Sequence, residues 1–166
     1  MMRAMMRAIL TSTLALGLSS LLMAQWTVTI LTPAGTQFVA DAQAVNGGEQ
    51  GGSAYDGTHT LPGIWTGTAS SWTDLTPQGF IDGGVADISG GVQVGAVSIF
   101  MGAYSGQASL WTGTAASWVD LHPAAMAGSA CYGVGGGRQV GYVDDSVGVR
   151  RASIWSGTPG TWLDLH

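Results

Sequence analysis

WTGTAASWVDL, residues 111–121, decides the reading of this chain, because it stands between two near copies of itself: WTGTASSWTDL at 65–75 and WSGTPGTWLDL at 155–165. Trp65, Trp111 and Trp155 are separated by 46 and 44 residues, and Trp26, Trp72, Trp118 and Trp162 by 46, 46 and 44. A fixed period of this size identifies tandem supersecondary units, each too small to bury an apolar face alone. A second block recurs midway through each period, as VNGGEQGGSA at 45–54, ISGGVQVGAV at 88–97 and VGGGRQVGYV at 134–143. It brings Gln50, Gln93 and Gln139 into coincidence, and likewise Gly52, Gly95 and Gly141.

Both blocks carry strand chemistry. The triplets NGG, SGG and GGG lie between short apolar runs, and Asn46-Gly47 suits the positive φ angles of a two-residue hairpin turn. A second turn, variable in length (SAYDGTHTLP, VSIFMGAYSGQ, VDDSVGVRR), leads to a third strand ending in Trp65, Trp111 or Trp155. The Gly-Thr corner of the opening motif then precedes a fourth strand, WTDL, WVDL or WLDL. Four short antiparallel strands per period, with no helical pattern after residue 24, predict an all-β chain of three tandem four-stranded blade-like repeats. In the fourth strand side chains alternate, so Trp118 and Asp120 face one way while Val119 and Leu121 face the other. Both faces are apolar, as stacked sheets require, and the Trp pairs are expected to wedge between neighbouring sheets.

Units of this size match the blades of β-propellers. The motif A-S-x-W-x-G-T-x-x-x-W-x-D-L, followed by G-G-x-Q-V-G, resembles the HAF-type extracellular repeats of secreted bacterial proteins, which look like relatives of kelch and WD-repeat blades. The resemblance covers residues 26–166 and implies a partial β-propeller with no particular activity. The first unit departs from it, with WTVTILTP lacking the Asp and LPGIW in place of ASLW. The expected units run over about 26–71, 72–117 and 118–161, with a terminal strand at 162–166. Labelled by strand, the chain reads as one fourth strand, at 26 onward, followed by three complete sets. Three blades are fewer than a closed ring uses, which implies a homo-oligomer, with two chains giving six blades, or a fragment of a longer propeller, with an open three-sheet stack bearing apolar end faces as the third alternative.

Ahead of the repeats, MMRAMMRAILTSTLALGLSSLLMAQ places Arg3 and Arg7 before an apolar run and a small residue, Ala24. This order predicts a secretory signal over 1–24, a repeat domain over 25–166, and a secreted, periplasmic or extracellular location without a membrane span after cleavage. Beyond residue 24 the chain has three arginines, no lysine and ten carboxylates, a formal net charge of −7. Such a surface repels phosphate backbones, which excludes nucleic acid as a partner. The single cysteine, Cys131, aligns with Ala42 and Val85 and is expected to be a small buried strand residue.

Several recurring polar residues invite a chemical reading. His122 and His166 share one repeat position without metal-ligand spacing, and His59 sits in a variable turn. Asp74, Asp120 and Asp164 recur at strand ends, where carboxylates cap turn amides, and radial repetition keeps them too far apart for paired-carboxylate catalysis. Asp144-Asp145 offers too few oxygens for calcium. No nucleophile elbow, phosphate loop or dinucleotide fingerprint is present. The sequence therefore predicts a non-catalytic protein without cofactor or metal, structural or partner-binding in role. The alternative is a lectin-like carbohydrate binder using Trp faces with Asp, Gln or Arg as hydrogen-bonding groups.

Overall fold

The computed structural model describes residues 27–35, 39–100 and 106–166; the expected signal at 1–24 and Trp26 lie outside them. The chain is all-β, built as three four-stranded antiparallel sheets, each a meander in sequence order. The first sheet contains β1 (Ala40–Asn46), β2 (Glu49–Tyr55), β3 (Thr60–Trp65) and β4 (Thr73–Asp74). The second contains β5 (Asp82–Ser89), β6 (Val92–Ser98), β7 (Gln107–Trp111) and β8 (Val119–Asp120). The third contains β9 (Gly128–Gly135), β10 (Arg138–Asp144), β11 (Arg150–Trp155) and β12 (Leu163–Asp164). Among the described residues no sheet closes into a barrel, and the arrangement is compatible with a partial β-propeller. Each sheet keeps its own fourth strand, so the structural period begins at residues 40, 82 and 128, and a frame cut before Trp72 or Trp118 divides a sheet.

The N-terminal segment corrects the expectation of an extra fourth strand. Residues 27–35 contain no strand, and Val28 and Ile30 are 89% and 74% exposed. A fourth strand needs a third strand to pair with, and β3, β7 and β11 are already paired with β4, β8 and β12. The first hairpin also differs in detail from its prediction. The two turn residues are Gly47 and Gly48, with φ of 58° and 87°, while Asn46 is the last paired strand residue, opposite Glu49. The same double-positive turn joins β5 to β6 and β9 to β10. Between each third and fourth strand the chain makes one 3₁₀ turn, at 69–71, 115–117 and 159–161, which strand periodicity did not indicate.

The sheets stack in chain order, with β5 lying on the first sheet and β9 on the second. Ile64, Leu75, Val85, Ile88, Val97 and Trp111 form the core between the first two sheets. Val94, Leu110, Leu121, Cys131, Val143 and Trp155 form the core between the second and third. Burying each large side chain of these layers stabilises the stack by about 1.5–3 kcal/mol. The Trp pair divides its labour. Trp65, Trp111 and Trp155 have no solvent exposure, and the indole of Trp111 donates to the Leu75 carbonyl of the preceding sheet at 2.9 Å. The second member is half-buried: Trp118 packs on Phe80 at a centroid distance of 5.0 Å, and Trp162 packs against the core between the second and third sheets. Their indoles donate to Ser109 and Ser153 at 2.9 Å. In the first sheet Gly63 replaces that serine, and Trp72 lies over it and against Trp65 at 4.5 Å.

The turns after β4 and β8, LTPQG at 75–79 and LHPAA at 121–125, have a counterpart ahead of the first sheet in LTPAG at 31–35. Their prolines, Pro33, Pro77 and Pro123, are buried. Gly35 and Gly79 have φ near 90°, and Ala125 holds the same place at φ 66°, a left-handed conformation that costs a residue with a Cβ.

Candidate binding cleft

Each inner strand carries a β-bulge at the same place, and the bulges position the site. In β1, β5 and β9 the register slips between Ala42 and Ala44, between Val85 and Asp87, and between Cys131 and Gly133, leaving Gln43, Ala86 and Tyr132 as the unpaired residues. The neighbouring strand closes tightly on the bulge. A methyl group at Gly52, Gly95 or Gly141 would overlap the carbonyl oxygen of Asp41, Gly84 or Ala130, respectively, which is why those three glycines recur.

The other recurring residues are engaged within the scaffold. Gln50, Gln93 and Gln139 accept the amides of Gly67, Gly113 and Gly157 at 2.7–2.8 Å and donate to the hairpin carbonyls of Gly48, Gly91 and Gly137. Each glutamine thus staples the first hairpin of its sheet to the last turn. Gln93 also donates to Glu49 of the preceding sheet at 2.8 Å. Asp74, Asp120 and Asp164 accept the amides of Thr76, His122 and His166 at 2.7–2.9 Å, each fixing the turn that leaves a fourth strand. Ser71, Ser117 and Thr161 bind the amides of Thr66, Thr112 and Ser156, closing the loop around the 3₁₀ turn.

The residues that do not recur gather elsewhere. A cleft of about 680 Å³ runs across all three sheets at the end where inner strands begin and second strands finish, and Gln43, Ala86 and Tyr132 all line it. The middle sheet contributes the small residues Gly83, Gly84, Gly95 and Ala96, together with Asp82, Val97, Ser98 and Phe100. One wall comes from the first sheet through Tyr55, Thr58 and Thr60, the other from the third through Tyr132, Tyr142 and Arg150. The small residues of the middle sheet leave room for the depression, and rings and hydrogen-bonding groups come from the flanking sheets and from Asp82, Ser98 and Phe100.

Electrostatics in the cleft are nearly balanced. Arg150 binds Asp144 through both carboxylate oxygens at 2.9 and 3.0 Å and lies 3.5 Å above the Tyr142 ring centroid. The Asp144 hydrogen bonds raise the guanidinium pKa, and burial raises that of the Tyr142 hydroxyl. Tyr132 stands 5.6 Å from Tyr142 and is 61% exposed. Asp82 accepts the Thr60 amide at 2.8 Å with one oxygen, tying the first sheet to the second. Arg151 bridges Asp145 and Asp164 at 3.1 and 3.2 Å. Asp145 also accepts the amides of Val149 and Val147, and the Val149 amide in particular lowers its pKa. The Asp144-Asp145 pair is thereby engaged by arginines and turn amides.

His122 makes a contact that the sequence did not indicate. Its Nε2 faces the Met126 carbonyl at 3.2 Å, which assigns the proton there, so Nδ1 accepts from the Ser129 hydroxyl at 2.8 Å. Ser129 also accepts the Ala108 amide of the preceding sheet at 2.9 Å and has no solvent exposure. A Ser–His contact of this kind serves nucleophilic chemistry only where the hydroxyl meets substrate; here it joins two sheets. His166, at the same repeat position, is exposed, and His59 lies 3.9 Å from Asp56 in the turn before β3. Cys131 is fully buried against the second sheet, and burial pushes its thiol up to about 12.

Among the described residues no three His, Cys, Asp or Glu side chains group to hold a metal ion, and no helix is long and apolar enough to cross a membrane. The Trp faces expected to carry sugar stacking are instead engaged in packing, at Trp65, Trp111 and Trp155 completely. The most exposed rings of the cleft are Tyr132 and Phe100, at 61% and 60%, one on a bulge and the other in a variable turn, where no residue recurs to mark them. No protein-family model, curated protein or solved structure matches the chain.

Proposed function

We propose that the chain is an exported, non-catalytic β-repeat protein with a structural or partner-binding role, and that recognition takes place in the tyrosine-walled cleft. One observation carries this reading: the recurring polar residues bind turns within their own sheets or the neighbouring sheet, whereas Gln43, Tyr132, Tyr142 and Arg150, which do not recur, line the cleft. A repeat scaffold that presents its variable residues on one concave surface is the usual layout of a binding module. The buried state of Ser129 and the high thiol pKa of Cys131 support a non-catalytic role, since neither nucleophile meets solvent in an activated form. The basic-apolar-small order of residues 1–24 supports export, and the resemblance to HAF-type propeller blades supports an extracellular setting. The end faces of the stack suit a second copy of the chain or further blades of a longer propeller.

The test is retention of the full chain on cell envelopes prepared from its own source. Wild-type retention that disappears in Tyr132→Arg, at unchanged melting temperature, carries the reading. Equal retention by the two proteins, or chemical turnover of the bound material, sinks it.

A further inference from the structure

The cleft's chemistry specifies its ligand more narrowly than recognition in general, and the inference rests on the recognition reading above. From the exposed Tyr132 ring, the neutralised Arg150 and the Asp82 carboxylate on one cleft surface, we propose that the ligand is a neutral pyranose sugar, stacked on Tyr132 and hydrogen-bonded by Asp82 and Gln43.

Three features select this class. The first is the free aromatic face. Arg150 covers Tyr142, whereas Tyr132 is 61% exposed on a bulge, its ring centroid 5.6 Å from that of Tyr142 and the planes tilted by 48°. An exposed aromatic ring accepts the C–H face of a pyranose and, with two side-chain torsions to fix, loses little conformational entropy in doing so. The second is a supply of acceptors for sugar hydroxyls. Asp82 binds the Thr60 amide through one oxygen only, and Gln43 donates to Asp41 at 3.0 Å, leaving its own carbonyl oxygen to accept. The third is charge. Among the described residues Arg150 is the guanidinium lining the cleft, and its charge is offset by bidentate pairing with Asp144, so a phosphate, sulfate or sialic acid meets a cation already paired and must approach Asp82 as well. A neutral polyol meets neither obstacle, and the cleft's 680 Å³ falls in the range of small-ligand sites.

The experiment titrates the full chain with methyl β-D-glucopyranoside, methyl β-D-galactopyranoside and methyl α-D-mannopyranoside, following Tyr132 ring resonances by NMR. N-acetylneuraminic acid and a short uncharged peptide serve as the competing classes. At least one pyranoside is expected to bind with Kd of about 1 mM or tighter, as one aromatic face with two hydrogen-bonding groups allows. Tyr132→Ala weakens binding about tenfold or more, while Tyr132→Phe, which keeps the ring, stays within about threefold. Because Tyr132 is exposed, both variants fold, and unchanged melting temperatures verify it. Pyranoside binding that survives Tyr132→Ala overturns the proposal, as does silence of all three pyranosides. If only the acid or the peptide binds, and does so through Tyr132, the sugar assignment falls while recognition by the cleft stands. Envelope retention that ignores Tyr132→Arg removes both.

Discussion

Leu121 and Leu165 hold the same place in the motif W-x-D-L, yet Leu121 has no solvent exposure and Leu165 is 56% exposed. The contrast extends along the sheets that carry them. Val94 of β6 is fully buried beneath β9, and its counterpart Val140 of β10 is 45% exposed. On the opposite face Val85 and Ile88 are buried against the first sheet, while Ala42 and Val45, their counterparts in β1, lie open. The motif therefore encodes an interface whose value depends on the next sheet. The same residue is core inside the stack and surface at its end, and its stability contribution follows its neighbour.

The largest effect that tests this contrast is truncation of the shared leucine. Leu121→Ala is expected to destabilise the protein by about 3 kcal/mol and Leu165→Ala by less than about 1 kcal/mol. Urea denaturation of both variants decides it, and equal costs would mean that the end face is covered in solution. Cys131 extends the comparison to pH, because it lies in the inner interface where Ala42 lies in the open face. Its thiol is neutral in the folded chain up to about 12, against 9.0 for the ordinary thiol. The neutral form is favoured by folding, so its contribution is fully present below pH 9 and declines as pH rises through the folded value. Wild type should lose stability relative to Cys131→Ala between pH 8 and pH 10.5, and parallel denaturation curves at the two pH values would contradict the assignment.

Gln93 and Gln50 sharpen the comparison at smaller scale. Both staple a hairpin to a turn, but Gln93 is buried and additionally bound to Glu49 across the interface. Gln93→Ala should cost about 2 kcal/mol and Gln50→Ala about 1 kcal/mol, with Glu49→Gln narrowing the gap if the inter-sheet bond accounts for it. The smallest expected effect is a reciprocal exchange. Ala125→Gly should stabilise by about 1 kcal/mol and Gly79→Ala destabilise by a similar amount, since both occupy the same left-handed turn position. Melting temperatures moving in the same direction would show that the two turns are not equivalent.

The sequence made the scaffold readable because its instructions are written three times. The Trp spacing, the glycine triplets and the alternation in WVDL led to four antiparallel strands per unit, and these are the observed sheets. The same repetition misled at the N-terminus, where WTVTI has strand composition but no open third strand to pair with. Long-range geometry was legible only in part. Gly95 was visibly repeated, yet its reason, a carbonyl of the neighbouring strand pressed against its Cα, belongs to the bulge and not to any local pattern. The cleft was the least legible element, because Tyr132 and Tyr142 occur once each and acquire a common purpose only when three sheets bring their ends together.

The bulges also bear on how such a chain diversifies. Gln43, Ala86 and Tyr132 are the residues in each inner strand that make no ladder pair, and all three line the cleft. Substitution there leaves the hairpin register, the glutamine staples and the inter-sheet cores untouched, so it is screened for what it contacts rather than for whether the protein folds. Three such positions on one surface form a small library with a constant frame. Duplication of a blade copies the frame and adds a position, which makes new recognition available to this architecture through single substitutions.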